Sequence, residues 1–396
     1  MSLSNDNRIF NKDFTLLFIV NFASHAGLQM FASVMSKYAA SLGSPDSLLG
    51  LVVSAYAFMI FATSLFSGSF IDRINKKTLL MVAMAGQCFA VLGYAFLAGS
   101  MPALIALRLL HGLFSGLTMN VTMAMVAFTL PKSKLGMGMG VYGLGQTIAM
   151  AVGPFIGIFL VESVGFQNMF LIAFILATIA ALLTVFVTSI PTIRQETKTF
   201  RFNDLILSSK IPIAMLGFFN NTAYSSISAY LVIHADQRGV GNIGFFFTVY
   251  SIVLLASRPL LGKISDRFSL KAVIYPTSLI LVAAMLLCAN ASNIWMFIGS
   301  AVLLAIGFGG SQPVIQAACI RDISPNKRGA ASATFMLGQS LGFIVGPMLG
   351  GSLAAVVGYG NMYAVMAGVA CMNLLLMFGI SQKSKIAAQE DQVNIS

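Results

Sequence analysis

The sequence predicts an all-α membrane protein whose twelve transmembrane helices form two parallel six-helix halves. Three observations carry that prediction: too few charges for a soluble surface, apolar runs of spanning length between the charges, and an internal repeat. Of 396 residues, 58% are hydrophobic and 9% charged, and mean hydropathy is +0.88. A soluble domain carries about 25% charged residues to solvate its surface, so the excess apolar surface must face lipid. That balance excludes a soluble enzyme, a nucleic-acid binder and a secreted disulfide scaffold. Cys88, Cys288, Cys319 and Cys371 sit inside apolar runs without metal-ligand spacing and read as small buried hydrophobes. Neither a metal nor a cofactor is expected, and the Gly-rich phosphate loop of nucleotide binders is absent.

A membrane helix needs about 20 mostly apolar residues to cross a hydrocarbon core of about 30 Å. Charged residues fence off the segments. The first two spans are 14–36 and 47–71; the first follows a polar segment and lacks a small-residue cleavage site, so no cleavable signal peptide is expected. The run from Thr78 holds a third span, and after the break at Gly99-Ser100-Met101-Pro102 a fourth continues through Arg108 to about Phe128. Spans five and six are 135–161 and 163–190, on either side of Glu162. The stretch 191–210 carries Arg194, Glu196, Lys198, Arg201, Asp204 and Lys210, cannot span, and reads as a linker. Beyond it come 211–235 and 239–264. The uncharged runs 272–320 and 329–382 are too long for one helix each, and Asn290-Ala291-Ser292-Asn293 and Gly358-Tyr359-Gly360-Asn361 divide them. The expected organisation is a first half 1–190, a linker 191–210, a second half 211–382 and a cytoplasmic tail 383–396.

Basic residues orient the spans. With both termini and the linker in the cytoplasm, only Lys37 and Arg238 remain outside, while Arg108 and Arg258 lie within helices. Enrichment of Lys and Arg in cytoplasmic loops is what membrane insertion selects. The net charge of +11 therefore reads as a topology signal with attraction to anionic lipid as a by-product, not as a nucleic-acid footprint.

The halves repeat. Gly68-x-x-x-Asp72-Arg73-x-x-x-Lys77 recurs as Gly262-x-x-x-Asp266-Arg267-x-x-x-Lys271, and Leu144-Gly145-Gln146 as Leu337-Gly338-Gln339. Gly153-Pro154-x-x-Gly157 recurs as Gly346-Pro347-x-x-Gly350, and Val164-Gly165-Phe166 answers Val357-Gly358-Tyr359. Blocks in one order at one offset indicate two similar halves, the architecture of a transporter that rocks about a cavity. With Arg108-x-x-x-Gly112 in the fourth span, these motifs resemble the major facilitator superfamily, most of all its twelve-helix drug:proton antiporter and sugar-efflux branch. The resemblance covers about residues 10–382.

That resemblance implies roles. The Gly68, Asp72, Arg73 loop and its copy Gly262, Asp266, Arg267 would latch the halves in the outward-facing state. An ordinary charged turn is the plainer alternative. Gly153, Pro154, Gly157 and Gly346, Pro347, Gly350 would bend their helices, since a helical proline removes a hydrogen bond, and the resemblance assigns the motif to antiporters; helix packing alone would also explain it. A cation in a span normally faces the bundle interior or a cavity, and the resemblance associates Arg108 with proton coupling, with His111 three residues on. All twelve acids fall in loops or at helix ends. His25 is then the embedded titratable group suited to carry a proton, or else it hydrogen-bonds a neighbouring helix. By family geometry the first, fourth, seventh and tenth helices line the cavity. This makes His25, Gln29, Arg108, His111, Asn221, Tyr224, Gln312 and Gln316 its candidate lining, with Met30, Met119 and Met123 as an adaptable apolar wall. Polar helix–helix contacts are the alternative for each.

The function expected is a plasma-membrane exporter of a small organic compound by alternating access and proton-coupled antiport, a monomer by family habit. A facilitator, or a dedicated exporter of a sugar or small anionic metabolite or metal chelator, is the alternative. No convergent nucleophile, acid–base or metal set points to an enzyme.

Overall fold

The computed structural model describes residues 9–71, 74–189, 206–267, 269–321, 323–324 and 327–393, with backbone alone at 67–71, 132, 136, 258–267, 328–329 and 381–393. Among these residues the chain forms eleven α-helices and no strand. It divides into two compact units, Met1–Phe200 and Arg201–Ser396. The first unit holds α1 (Lys12–Ala32), α2 (Met35–Ser41), α3 (Asp46–Ile71), α4 (Lys76–Phe96), α5 (Met101–Thr129) and α6 (Leu135–Val185). The second holds α7 (Ile211–Gln237), α8 (Gly244–Arg267), α9 (Leu270–Ala289), α10 (Ile294–Ile320) and α11 (Arg328–Val393).

Helix starts follow from the sequence. Asn11 caps α1 by accepting from the Phe14 N–H, Asn75 caps α4 through the Lys77 and Thr78 N–H groups, and Asn293 caps α10 through Met296. Each side-chain oxygen satisfies a donor that the first turn leaves without an intrahelical partner. Pro102 and Pro212 occupy the first turns of α5 and α7, where a missing N–H costs nothing.

The first expected span, 14–36, is interrupted: α1 ends at Ala32 and the chain restarts as α2. Ser33 is the local cause, because its hydroxyl bonds back to the Gln29 and Met30 carbonyls and competes with the helical ladder. The expected start of the eighth span at Gly239 also moves, to Gly244, because Gly239 and Asn242 take positive φ of 66° and 58° in the intervening turn. At the other end of the chain, helical backbone runs past Gln382 to Val393.

α6 and α11 contain 51 and 66 residues. At about 1.5 Å per residue neither could lie straight in a membrane. Each doubles back at a glycine: Gly165 has φ 81° and ψ 170°, and Gly358 has φ 77° and ψ 163°. The packing shows the reversal. Tyr142 at the start of α6 and Ala180 near its end both join the cluster around Phe14 and Leu17 of α1, while Phe166 and Phe170 at the turn contact Tyr38 and Phe31. In the second unit Phe335 and Met377, from the two arms of α11, both pack with Leu216 of α7, while Tyr359 at its turn meets Tyr230. The turn in α6 comes at Gly165, three residues beyond the expected fence at Glu162, because the helix tolerates a carboxylate near its end but not a positive φ away from glycine. Counted by arms, the described residues of each unit contain six long helical segments. Among the described residues, eight helices are long and apolar enough to cross a membrane outright.

The same packing scheme recurs within each unit. In the first, α1 lies on α6, α3 on α5, and α4 on α5 and α6; in the second, α7 lies on α11, α8 on α10, and α9 on α10 and α11. The bend motif serves the first of these pairings. A Cβ at Gly153 would stand 2.6 Å from the Gln29 Cβ, and one at Gly157 would stand 2.5 Å from the Met30 carbonyl oxygen. Gly346 and Gly350 meet Thr222 and Tyr230 of α7 in the corresponding way. Small residues let these backbones touch. The non-helical dihedral inside α6 and inside α11 falls at Gly165 and Gly358, while Pro154 and Pro347 lie within the helical arms.

Candidate functional site

The first unit buries a polar cluster around Arg108. Gly112, one turn beyond Arg108 on α5, has no room for a side chain, since a Cβ there would lie 2.6 Å from the Tyr56 carbonyl oxygen. That close approach of α3 presents Val52 and Tyr56 to the arginine. The Arg108 side chain is 1% exposed, its Nε donates to the Val52 carbonyl at 3.1 Å, and its Cζ stands 4.5 Å over the Tyr56 ring. A charge in a membrane helix costs at least about 2.5 kcal/mol. A charge-assisted hydrogen bond returns about 1.5–3 kcal/mol and a desolvated cation–π contact about 2 kcal/mol, enough to hold the guanidinium in place. Nη1, however, has no hydrogen-bond partner.

His111 lies one turn from Arg108 and is fully buried. Its ring meets Phe31, Tyr56 and Tyr94 edge-on, with centroids 5.1–5.7 Å apart, and its Nδ1 is 3.1 Å from the Tyr94 hydroxyl. Nε2 has no partner. His25, on α1, lines a cavity of about 10 Å³ with Tyr56, Gln87, Ser115 and Met119, room for about one water. The Asn21 carbonyl sits 2.9 Å from His25 Nδ1. A carbonyl only accepts, so Nδ1 carries a hydrogen and Nε2 is the atom left to take up a proton. Tyr56 therefore joins the two expected groups, with its ring under Arg108 and the same residue lining the His25 cavity.

The other expected residues are placed differently. Gln29 is half-buried against Gly153 of α6. Met119 lines the small cavity, Met30 packs at Gly157, and Met123 is exposed. In the second unit Asn221 donates to the Gly217 carbonyl of its own helix at 2.8 Å. Tyr224 stacks flat on Phe308, centroids 4.2 Å apart, with Tyr250 and Phe343 beside it. Gln312 accepts from Gln339 of α11, and Gln316 is exposed. Of the latch, Asp72 and Arg73 lie outside the described residues, and Gly68, Gly262, Asp266 and Arg267 are described by helical backbone alone.

Sequence reasoning missed Tyr56, Tyr94, Gln87 and Ser115 in the first unit. It also missed a buried relay in the second, where Asn373 donates to Asn220 at 2.7 Å and Asn220 donates to Ser311 at 2.9 Å. Gln87 and Asn373 are amides in apolar runs, but they lie outside the first, fourth, seventh and tenth spans that the resemblance assigned to the cavity. Tyr56 carries none, because a tyrosine in a span usually serves packing.

A family model described as Major Facilitator Superfamily matches the chain over residues 17–242 and again over 213–392. The chain is 26% identical over 386 residues to the multi-drug resistance efflux pump PmrA of Streptococcus pneumoniae, covering 92% of this chain and 96% of that one. It is 24% identical to an uncharacterized MFS-type transporter of Methanocaldococcus jannaschii, covering 89% and 94% of the two chains. It is 25% identical to the multidrug resistance protein MdtG of Salmonella choleraesuis, covering 86% and 87%. Among solved structures the nucleoside transporter NupG superposes with a TM-score of 0.80 at 13% identity, covering 94% of this chain and 99% of that one.

Proposed function

Because the chain belongs to the Major Facilitator Superfamily and is a multi-pass membrane transporter of small molecules, we propose that it exports a small organic compound across the plasma membrane in exchange for protons. Export is favoured by relatives named as multidrug efflux proteins over nearly their whole length. The observation that carries the chemistry is the Arg108 cluster: a buried guanidinium held on Tyr56 with Nη1 free. In this reading His25 Nε2 takes up the exchanged proton. Arg108 engages the cargo or the proton path through its free donor. A site with a cation and no hydrogen-bonded carboxylate suits neutral or anionic amphiphiles better than dications. The Asp72 and Asp266 loops act as latches, both termini lie in the cytoplasm, and the working unit is a monomer.

Transport by the purified protein in proteoliposomes, with and without an imposed pH gradient, tests this reading. Substrate movement should accelerate when the gradient drives protons against it, and His25→Ala should flatten that dependence. Full gradient dependence in His25→Ala would remove His25 from the proton path. Substrate movement indifferent to the gradient would favour the second reading, a facilitator or dedicated exporter of a sugar or small anionic metabolite. The unpaired Arg108 donor is the observation that keeps an anionic cargo in view.

A further inference from the structure

In the second unit a pocket of about 330 Å³ opens where the ends of α7 and α9 meet the Gly358 turn of α11. Its size falls at the low end for small-molecule sites. His234, Arg238, Asn290, Tyr359, Gly360 and Asn361 are among its lining residues, and no Asp or Glu is. For a chain with 9% charged residues, a polar pocket with a guanidinium in its wall is an uncommon use of surface.

Three details define the chemistry of its wall. Arg238 lies over the restart of α11: a Cβ at Gly360 would stand 3.2 Å from Arg238 Nη2 and 3.1 Å from the Ala289 carbonyl oxygen. The helix restarts after Gly358, and the first N–H groups of a helix arm have no intrahelical partners and attract negative charge. Beside them His234 is 1% exposed, and its Nε2 donates to the Cys288 carbonyl at 3.1 Å. Nε2 must carry the hydrogen for that bond, so Nδ1 presents a lone pair, and the ring lines the pocket.

In the first unit Tyr38 holds the corresponding place. It donates to the Ala98 carbonyl at 3.2 Å and packs 5.0 Å from Phe166 and 5.1 Å from Phe170, just after the Gly165 turn. In the second unit His234 takes the hydrogen-bonding position and sits 5.3 Å from Tyr363. The repeated scaffold thus carries a tyrosine on two phenylalanines in one copy, and a histidine beside a guanidinium in the other.

We propose that this pocket binds a phosphate or carboxylate group, with Arg238 supplying the charge, the N–H groups of the α11 restart supplying directed donors, and His234 Nδ1 accepting from a ligand O–H. The group belongs to a free anion or to the headgroup of an anionic phospholipid. Arg238 also stands at the C-terminus of α7, where a cation offsets the helix dipole; a purely local role of that kind predicts no response to ligand.

The test is the thermal unfolding midpoint of the full-length protein. In neutral detergent, sodium phosphate is titrated against sodium chloride at matched ionic strength. In a second arm, nanodiscs of phosphatidylcholine are compared with nanodiscs containing phosphatidylglycerol. The wild type should show a saturable rise of about 3 °C in at least one arm. Arg238→Gln and Gly360→Ala, whose methyl would press on the guanidinium, should lose most of it. A rise with phosphate assigns a free oxyanion, and a rise confined to phosphatidylglycerol assigns a lipid headgroup. A wild type that responds to neither probe beyond its control overturns the proposal. So does a shift that survives undiminished in both variants.

Discussion

Arg108 illustrates how one side chain can be held firmly and still be incomplete. Its ring contact and its bond to Val52 fix the plane of the guanidinium, and both depend on that plane. Lysine offers a point charge without the fork. Arg108→Lys should therefore fold and insert normally yet lose at least about tenfold in transport rate, read in proteoliposomes against protein content. Replacing a buried charge by a well-fitting apolar side chain is often neutral or stabilising. Arg108→Met should accordingly keep or raise the thermal midpoint while abolishing transport. A midpoint that falls with activity would show that the arginine serves the fold. At this scale burial was legible in the sequence where a charge or imidazole stood in an apolar run, as with Arg108, His111 and His25. The importance of Tyr56 was not legible, because it comes from α3 touching α5 at Gly112, a contact distant in sequence.

Among the elements, the paired helices α6 and α11 carry the clearest demands. At Gly165 and Gly358 an added methyl would meet open space, so substitution there is resisted by backbone conformation alone. Gly165→Ala or Gly358→Ala should each cost about 1–3 kcal/mol, because φ near 80° with ψ near 165° is open essentially to glycine alone, lowering the unfolding midpoint with little change in near-neighbour packing. Gly157 is the opposite case: its φ is ordinary, but α1 lies against it. Gly157→Leu should separate α1 from α6 and reduce the yield of folded protein far more than either alanine variant, as measured by recovery of monodisperse protein in detergent. The repeat in the sequence made both glycine sets visible. The packing role of Gly153 and Gly157 was not separable from bending, since a Gly-Pro pattern serves either use. The break after Ala32 was hidden because Ser33 sits in an otherwise apolar run, and only its bonds to Gln29 and Met30 show it ending the helix.

For the whole molecule, the distribution of charge was the most readable feature, because solvation forbids an apolar surface in water and equally forbids scattered charges in lipid. The topology it implies is open to test by single cysteines in a background free of the four native ones. Residues placed at Lys210 should react with an impermeant maleimide only from the cytoplasmic face, and those at Arg238 only from the outer one. Labelling from exchanged sides would reverse the proposed orientation, and labelling of both from one side would break it. Asp72→Asn should leave insertion intact and strongly reduce transport if its loop is a latch; near-normal transport in a well-expressed variant would make it an ordinary turn. The tight turn in α11 has a further consequence, for how the protein is made. The stretch 329–382 has no charged residue, and its two arms are joined at Gly358 without a hydrophilic loop. A ribosome therefore delivers them as one apolar length with no signal to stop between the arms. The last two segments are therefore expected to enter the membrane together, as one hairpin.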